Sequence, residues 1–210
     1  MADAFDLDTF ISSLASGEPT PGGGSAAALA GALGAALAAM VGRLTAGRPK
    51  YAAVNDQMQS AIVEADALRS RLLALVDEDA QAYDQVRAAF RLPKETVEQQ
   101  SMRAAAIQQA LQGASRTPLA TVEACLAVLR LAEQVVSSGN PNAATDGAVG
   151  ALLAHAGLQG AALNVQINLG GIDDTAFIAD SQAAVEAALQ ESAALQRQIM
   201  QTLAARLSLS

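Results

Sequence analysis

Apolar residues recur at helical spacing along most of the chain. The longest such pattern has no Gly or Pro and predicts one helix from Ala52 to Phe90, with its apolar positions at Met58, Ile62, Leu68, Leu72, Leu75, Val76, Val86 and Phe90. A shorter amphipathic pattern predicts a first helix that begins near Asp8 and ends before Gly17 and Pro19.

Capping and breaking residues set the limits of the other predicted helices. Each is expected to begin at a Ser, Thr, Asn, Asp or Glu and to stop near a Gly or Pro. These signals predict helices from Ser25 to Thr45, from Glu95 to Gly113, from Thr117 to Val136, from Asn140 to Leu169, and from Asp173 or Asp174 to Leu207. No linker or repeat divides the chain, so we expect one helical domain over residues 1–210.

Composition strengthens the helical prediction. Fifty of the 210 residues are Ala and only 3% are aromatic, and the alternating patterns typical of strands are absent. The sequence therefore predicts an all-α fold, a bundle of six to eight helices with long central helices.

One uncharged segment, Thr20 to Gly42, is long enough to cross a membrane. It consists mostly of Ala and Gly, which favours a helix buried at the centre of a bundle, where small side chains allow close approach. The acidic N-terminus lacks the pattern of a signal peptide. We therefore expect a cytoplasmic protein that is not embedded in a membrane.

The charge balance limits the classes of partner. The net charge is −8 and the pI is near 4.5, which argues against nucleic-acid binding. Ten of the 13 basic residues lie between Arg43 and Arg116, so a small anion remains a plausible ligand. One Cys and one His exclude an internal disulfide and an ordinary zinc site.

The most unusual stretch is Pro21-Gly22-Gly23-Gly24-Ser25, directly before a predicted helix. Backbone N–H groups at the positive end of a helix bind anions or carbonyl oxygens. The alternative is a tight turn before a packed helix. We expect Ser25 to act as an N-cap rather than a nucleophile, because the one His is 130 residues away.

Two further groups combine residues that support acid–base or anion-binding chemistry. Asp79 and Tyr83 are four residues apart and share a helix face, which is either an acid–base pair or an acidic face in solvent. Arg48 and Lys50 flank a proline beside Tyr51, either as surface charges or as an anion clamp.

The second half of the chain adds asparagine side chains and one carboxylate to the candidate site residues. Asn140 is expected to cap a helix on which Asn142 and Asp146 share a face. Asn164 and Asn168 share a face of an apolar helical stretch, so they either hold the bundle together or contact a ligand. His155 has leucine neighbours and is expected to be a hydrogen-bonded core or interface residue.

Together these segments resemble one family. The stretches PTPGGGSAAALAGALGAALAAMVGRLTAGRPKY, DEDAQAYDQV, RLPKETVEQ, SSGN to TD, and ALNVQINLGGIDD are similar to the cyclodeaminase/cyclohydrolase family of folate enzymes, in order from Phe5 to Leu207. That family includes formimidoyltetrahydrofolate cyclodeaminases and methenyltetrahydrofolate cyclohydrolases. The resemblance implies an all-α fold, a homodimer, and a tetrahydrofolate derivative as substrate, with no tightly bound cofactor and no metal.

The resemblance also implies the roles of the candidate residues. Asp79 and Asp146 are candidates for the base or for the pterin contact, and Tyr83 and Lys50 for proton transfer. The amides of Gly23, Gly24 and Ser25 would bind a carbonyl or a developing oxyanion. Arg48, Lys50 or Lys94 would meet the glutamate tail. The remaining candidate contacts are Gly22, Asn140, Asn142, Asn164 and Asn168.

Two activities and one non-catalytic alternative stay open. A chain without a transferase half favours methenyltetrahydrofolate cyclohydrolase, and formimidoyltetrahydrofolate cyclodeaminase is the alternative. The third reading is a helical interaction protein in which the glycines and amides serve packing alone.

Overall fold

The computed structural model describes residues 6–208, and these fold into α-helices joined by short turns, with no strand among them. The helices are α1 (Leu7–Leu14), α2 (Gly23–Thr45), α3 (Asn55–Phe90), α4 (Val97–Ser138), α5 (Ala144–Leu169) and α6 (Thr175–Ser208), with 3₁₀ turns at Pro49–Val54 and Pro141–Ala143. The predicted all-α class is confirmed. Residues 1–5, on which part of the N-terminal prediction rests, lie outside the described residues.

Helix α2 packs against α3, α4 and α5 at short distances. Its buried positions are almost all Ala or Gly, so the neighbouring backbones come close. A Cβ on Gly34 would stand 2.7 Å from the carbonyl oxygen of Gly150, and one on Gly157 would stand 2.6 Å from that of Ala27. The uncharged segment therefore forms an inner helix of the bundle, as predicted.

Larger apolar side chains fill the space that α2 leaves. Leu72 and Leu75 of α3, Leu129 of α4, Leu158 of α5 and Ile199 of α6 are all fully or almost fully buried. The core thus combines one small-residue helix with leucine-rich neighbours, which explains how a chain with few aromatic residues packs densely.

Several predicted boundaries differ from the structure. The predicted helix end at Gly113 and the predicted start at Thr117-Pro118 are both wrong, because α4 is one helix from Val97 to Ser138. Helix α2 begins at Gly23 with Gly22 as its N-cap, so Ser25 lies inside the helix. The first residues of the long predicted helix form the 3₁₀ turn before Asn55.

The cap predicted at the last helix is confirmed, whereas Asn140 caps the 3₁₀ turn Pro141–Ala143 and α5 begins after it at Ala144 without a side-chain cap. Asn140 Oδ1 accepts from the backbone N–H of Asn142 at 3.1 Å. Asp174 Oδ1 accepts from the N–H groups of Ala176 and Phe177 at 3.1 and 3.0 Å.

Two helical stretches of the described chain are long and apolar enough to cross a membrane, Gly23–Thr45 and Pro141–Leu169. Only the first was predicted from the sequence. The two stretches pack against each other, and half or more of each is buried inside the bundle.

Candidate functional site

A pocket of about 320 Å³ lies where the start of α2 meets α3, α4 and α5. Its volume falls at the lower end of the range for small-molecule sites. Seven of the residues predicted from the sequence line it, namely Gly22, Gly23, Gly24, Asp79, Tyr83, Asn164 and Asn168. Residues as far apart in sequence as Gly22 and Asn168 are therefore brought to one place.

The glycine run forms one wall of the pocket as the first turn of α2. The first hydrogen bond of the helix joins the N–H of Ala26 to the carbonyl oxygen of Gly22 at 3.0 Å. The N–H groups of Gly23, Gly24 and Ser25 precede that bond and have no partner within the helix. Gly22 provides no side-chain cap, so this wall presents the positive end of α2.

Asp79 lies against this first turn and is held there by two features. A Cβ on Gly24 would stand 2.6 Å from Asp79 Cγ and 2.7 Å from Oδ2, so the carboxyl group occupies the space that the glycine leaves. The fully buried hydroxyl of Ser25 lies 2.9 Å from Asp79 Oδ2 and 3.0 Å from the carbonyl oxygen of Val76. Ser25 therefore orients the carboxylate instead of capping α2.

Tyr83 lies one turn beyond Asp79 on α3 and 40% of its surface is exposed. Its ring faces the pocket and also contacts a cation, because the guanidinium carbon of Arg87 lies 5.9 Å from the ring centre. Asp77 and Asp84 are exposed and do not line the pocket. The acidic segment thus divides into an inward pair, Asp79 and Tyr83, and an outward pair.

The two asparagines of α5 complete the opposite wall. Asn168 Nδ2 donates to the carbonyl oxygen of Ala114 at 2.9 Å. In a regular helix that carbonyl would accept from residue 118, which is a proline and has no N–H. Asn168 therefore satisfies the carbonyl that Pro118 leaves free, and this allows α4 to continue through the proline.

Asn164 Nδ2 donates to the carbonyl oxygen of Gly160 at 2.8 Å. Both amide nitrogens are thus used within the protein. In the part of the chain that the structure describes, no hydrogen bond reaches either amide oxygen, so both remain available to a donor on a ligand.

The other predicted site residues lie elsewhere. Five are at the far end of α2, where the 3₁₀ turn after α2 meets the start of α5, and we call them the distal group: Arg48, Lys50, Asn140, Asn142 and Asp146. At about 1.5 Å per residue, α2 separates this end from the pocket by about 30 Å. Lys94 is exposed in the turn between α3 and α4, also outside the pocket lining.

Within the distal group, Asn140 joins the start of α5 to the end of α2 and to the 3₁₀ turn after it. Its side-chain oxygen accepts from the hydroxyl of Tyr51 at 3.0 Å, and its backbone N–H donates to Thr45 Oγ1 at 2.8 Å. The ammonium of Lys50 lies 5.5 Å from the centre of the Tyr51 ring. This end of the molecule is therefore an ordered polar surface with exposed cations.

His155 was predicted to be a hydrogen-bonded core or interface residue, and its environment in the structure differs in one respect. It is half-buried on α5, and its Nδ1 is buried without a hydrogen-bond partner in the described structure. Burial lowers the pKa of the imidazole, which is the expected effect of desolvation on a cation.

The apolar side of the pocket was not predicted from the sequence. Val86, Leu111 and Ala114 line it, together with Pro19 and Thr20 before the glycine run. Val86 follows Tyr83 by three residues on α3, so helical spacing alone could have placed it on the same face as Tyr83. Nothing in the sequence places Leu111 and Ala114 opposite them, because that depends on how α3 and α4 fold back on each other.

Comparison with known proteins gives consistent matches over nearly the whole chain. The sequence model of a family described as Formiminotransferase-cyclodeaminase matches residues 6–204. A methenyltetrahydrofolate cyclohydrolase from Methylorubrum extorquens is 42% identical over 208 residues, which cover 99% of this chain and 100% of that protein.

Two further matches carry the name of the related activity. The formimidoyltransferase-cyclodeaminase of Sus scrofa is 36% identical over 95% of this chain, which spans only 37% of that protein. The crystal structure of a formiminotetrahydrofolate cyclodeaminase from Thermotoga maritima is similar with a TM-score of 0.88 and 26% identity, covering 99% of this chain and 100% of that one.

Proposed function

The chain belongs to the formiminotransferase-cyclodeaminase family, and we propose that it is a methenyltetrahydrofolate cyclohydrolase. The observation that carries the proposal is the pocket in which Asp79, Tyr83 and the start of α2 converge. The similarity over the full length of a cyclohydrolase supports this activity in particular.

The proposed reaction is the hydrolysis of an amidinium. Water adds to the carbon between N5 and N10 of 5,10-methenyltetrahydrofolate and loses a proton, which gives a tetrahedral carbon with a hydroxyl group. The bond from this carbon to N5 then breaks, N5 takes up a proton, and the hydroxyl group loses its own proton to become the formyl carbonyl of 10-formyltetrahydrofolate. The reaction requires one group that accepts a proton from water and one that delivers a proton to N5.

The pocket supplies groups suited to both transfers. Asp79 is half-buried and fixed by Ser25, so it is our candidate to accept the proton from water. Tyr83 is one helical turn away and is our candidate to deliver a proton to N5. The free N–H groups at the start of α2 would bind a carbonyl or the oxygen that gains negative charge.

The amide oxygens of Asn164 and Asn168 are suited to the pterin. The amino-pyrimidinone edge of a pterin carries N–H donors, and these oxygens lie on the opposite wall from Asp79 with their own nitrogens already engaged. We assign the folate as substrate and propose no tightly bound cofactor, because every step is a proton transfer or a change in bonding at one carbon.

Formimidoyltetrahydrofolate cyclodeaminase activity is the second candidate. In that reaction N10 attacks the formimino carbon on N5, and ammonia leaves to give 5,10-methenyltetrahydrofolate. The tetrahedral carbon then carries an amino group instead of a hydroxyl, N10 loses a proton, and the amino group takes one up to leave as ammonia, so the pocket would again need a group that accepts a proton and one that delivers it. The names of the Sus scrofa and Thermotoga maritima proteins favour this alternative.

The absorbance of the methenyl group distinguishes the two activities. Purified protein is given 5,10-methenyltetrahydrofolate and, separately, 5-formiminotetrahydrofolate. We expect loss of absorbance from the first substrate above its rate of hydrolysis in buffer. A gain of absorbance with release of ammonia from the second would identify a cyclodeaminase. No change with either substrate, and no thermal stabilisation by either, would support a non-catalytic interaction protein.

A further inference from the structure

A buried proline lies inside α4, directly behind one wall of the pocket. Pro118 is one helical turn beyond Ala114, which lines the pocket together with Leu111. A proline in a helix interior has no N–H for the carbonyl four residues earlier, and its ring crowds that carbonyl. Because proline is by far the least favourable residue in a helix interior, Pro118 does not contribute to the stability of α4 itself.

The carbonyl that Pro118 leaves free determines the orientation of one side chain of the pocket. Asn168 Nδ2 donates to the carbonyl oxygen of Ala114 at 2.9 Å. A carbonyl oxygen only accepts hydrogen bonds, so the end of the amide that faces it must be the nitrogen, and the amide oxygen is left for a ligand. With an N–H at position 118, α4 would engage this carbonyl itself, and the amide would be free to present either end.

The backbone around Asn168 is held in place by other contacts. Gln108 of α4 donates to the carbonyl oxygen of Gly171 at 3.0 Å and accepts from the N–H of Asp173 at 2.8 Å. These bonds join α4 to the turn that follows α5, just beyond Asn168. Loss of the bond from Asn168 to Ala114 would therefore free the amide without detaching the end of α5 from α4.

Asn164 provides an internal comparison. It lies one turn before Asn168 on the same face of α5 and also lines the pocket. Its Nδ2 donates to the carbonyl oxygen of Gly160, in its own helix, at 2.8 Å. The orientation of Asn164 is thus set within α5, whereas that of Asn168 depends on a proline in another helix.

We propose that Pro118 is a positioning residue that fixes Asn168 as a hydrogen-bond acceptor. Pro118 is not among the described residues that line the pocket, so it acts through Asn168. The fixed amide oxygen makes this wall selective for a ligand that offers an N–H donor, because a ligand with an acceptor there would leave two acceptors facing each other. The identity of the donor, the amino-pyrimidinone edge of a pterin, rests on the proposed function.

Substitutions that restore the N–H at position 118 test the proposal. Pro118→Ala supplies this N–H, and Pro118→Val supplies it with a bulkier side chain, which avoids a cavity where the buried ring was. We expect both variants to raise KM for the folate that the wild-type protein converts by about three- to tenfold. Turnover should stay within about twofold, because Asp79 and Tyr83 keep their positions. An unchanged KM in both variants would overturn the proposal.

Double variants show whether Pro118 acts through Asn168. Asn168→Ala removes the acceptor and should raise KM by about three- to tenfold on its own. Adding Pro118→Ala to it should raise KM no further, because the amide that the proline orients is already absent. Asn164→Ala is the matched control, and there Pro118→Ala should multiply KM by the same factor as in the wild-type protein. Multiplication in both pairs would show that Pro118 shapes the pocket without orienting Asn168, contrary to the proposal.

Thermal unfolding tests the same hydrogen bond without any folate. In the wild-type protein Asn168→Ala leaves the carbonyl of Ala114 without a donor, whereas in Pro118→Ala the N–H of residue 118 takes its place. The same substitution is made in both proteins, so the change in helix propensity cancels.

We expect Asn168→Ala to lower the unfolding midpoint by about 2–4 °C more in the wild-type protein than in Pro118→Ala. Equal shifts in the two proteins would contradict the assigned role of Pro118. If the wild-type protein acts on neither folate, the proposed function fails, and this comparison still decides whether Pro118 fixes the amide of Asn168.

Discussion

At the scale of single residues, the position of one carboxylate depends on two neighbours without acid–base chemistry of their own. Gly24 leaves the space that the carboxyl group of Asp79 fills, and Ser25 donates to it from a fully buried position. Both neighbours belong to the first turn of α2. The glycine run therefore shapes the pocket through its missing side chains as well as through its free N–H groups.

Replacement of Asp79 tests its proposed role. Asp79→Asn keeps the size and the contact with Ser25 but cannot accept a proton, so we expect turnover to fall at least about a hundredfold. Asp77→Asn, two residues earlier on the same helix and exposed, is the matched control and should retain wild-type turnover. Comparison of kcat and of thermal midpoints for both variants checks this, and near-normal turnover in a folded Asp79→Asn protein would exclude it as the base.

At the scale of secondary-structure elements, two pairs of helices approach each other through specific local features. Glycines allow α2 and α5 to pack backbone against backbone. Asn168 of α5 donates to the free carbonyl of Ala114, which allows α4 to pass through Pro118 without a break. Each feature joins two of the helices that line the pocket, so the packing of these helices positions the walls of the site.

A methyl group at the α2/α5 contact tests the first of these features. Gly34→Ala would place a Cβ 2.7 Å from the carbonyl oxygen of Gly150, and we expect a loss of about 1–3 kcal/mol in the free energy of unfolding. Gly113→Ala is the control, because a Cβ there meets nothing within 4 Å. In the helix interior it should stabilise by about 0.5–1 kcal/mol. Urea unfolding measures both, and equal effects would contradict the proposed close packing.

At the scale of the whole molecule, different titratable groups affect the free energy of unfolding in different pH ranges. Hydrogen bonds from Arg43 and Arg130 lower the pKa of Asp66 and Glu191 below their ordinary values of 3.8 and 4.5. Their contribution to stability is present above those values and is lost as pH falls through the lowered pKa values. His155 is the one histidine of the chain, and its titration lies at higher pH.

Because of His155, we expect the free energy of unfolding to fall between pH 7 and pH 5. Burial lowers its pKa below 6.5 in the folded protein, so as pH falls the unfolded chain binds a proton first. Its contribution to stability is therefore complete above about pH 6.5 and falls below that pH. His155→Gln should reduce the difference in unfolding midpoint between pH 7.5 and pH 5. Urea titrations at both values check this, and an unchanged difference would contradict the assignment.

The burial of Cys125 predicts how its thiol reacts in the folded and in the unfolded protein. Burial raises the pKa of its thiol to about 12, so the reactive thiolate is scarce at neutral pH. The folded protein should resist alkylation by iodoacetamide at pH 8, and the unfolded chain should react fully. Mass measurement of both samples checks this, and rapid modification of the folded protein would contradict the packed core around α2.

The all-α class, most helix limits and the inward pair were predictable from the sequence alone. They follow from local physics: helical periodicity, caps such as Asp174, and the four-residue spacing that puts Asp79 and Tyr83 on one face. The sequence also identified Asn164 and Asn168 as amides in an apolar helix that must find partners.

Which of the candidate site residues lie together in the pocket depends on the packing of helices that are distant in sequence. Asp79 and Asp146 are equivalent candidates in the sequence, but the length of α2 separates them because α2 and α5 run antiparallel. Thr117-Pro118 resembles a helix start by local rules, but Asn168 of another helix supplies the donor that Pro118 lacks within α4. By sequence Ser25 resembles a helix cap, but in the structure α3 packs beside it and its hydroxyl donates to the carboxylate of Asp79. In each case the deciding contact joins residues far apart in sequence, which local periodicity and capping cannot reveal.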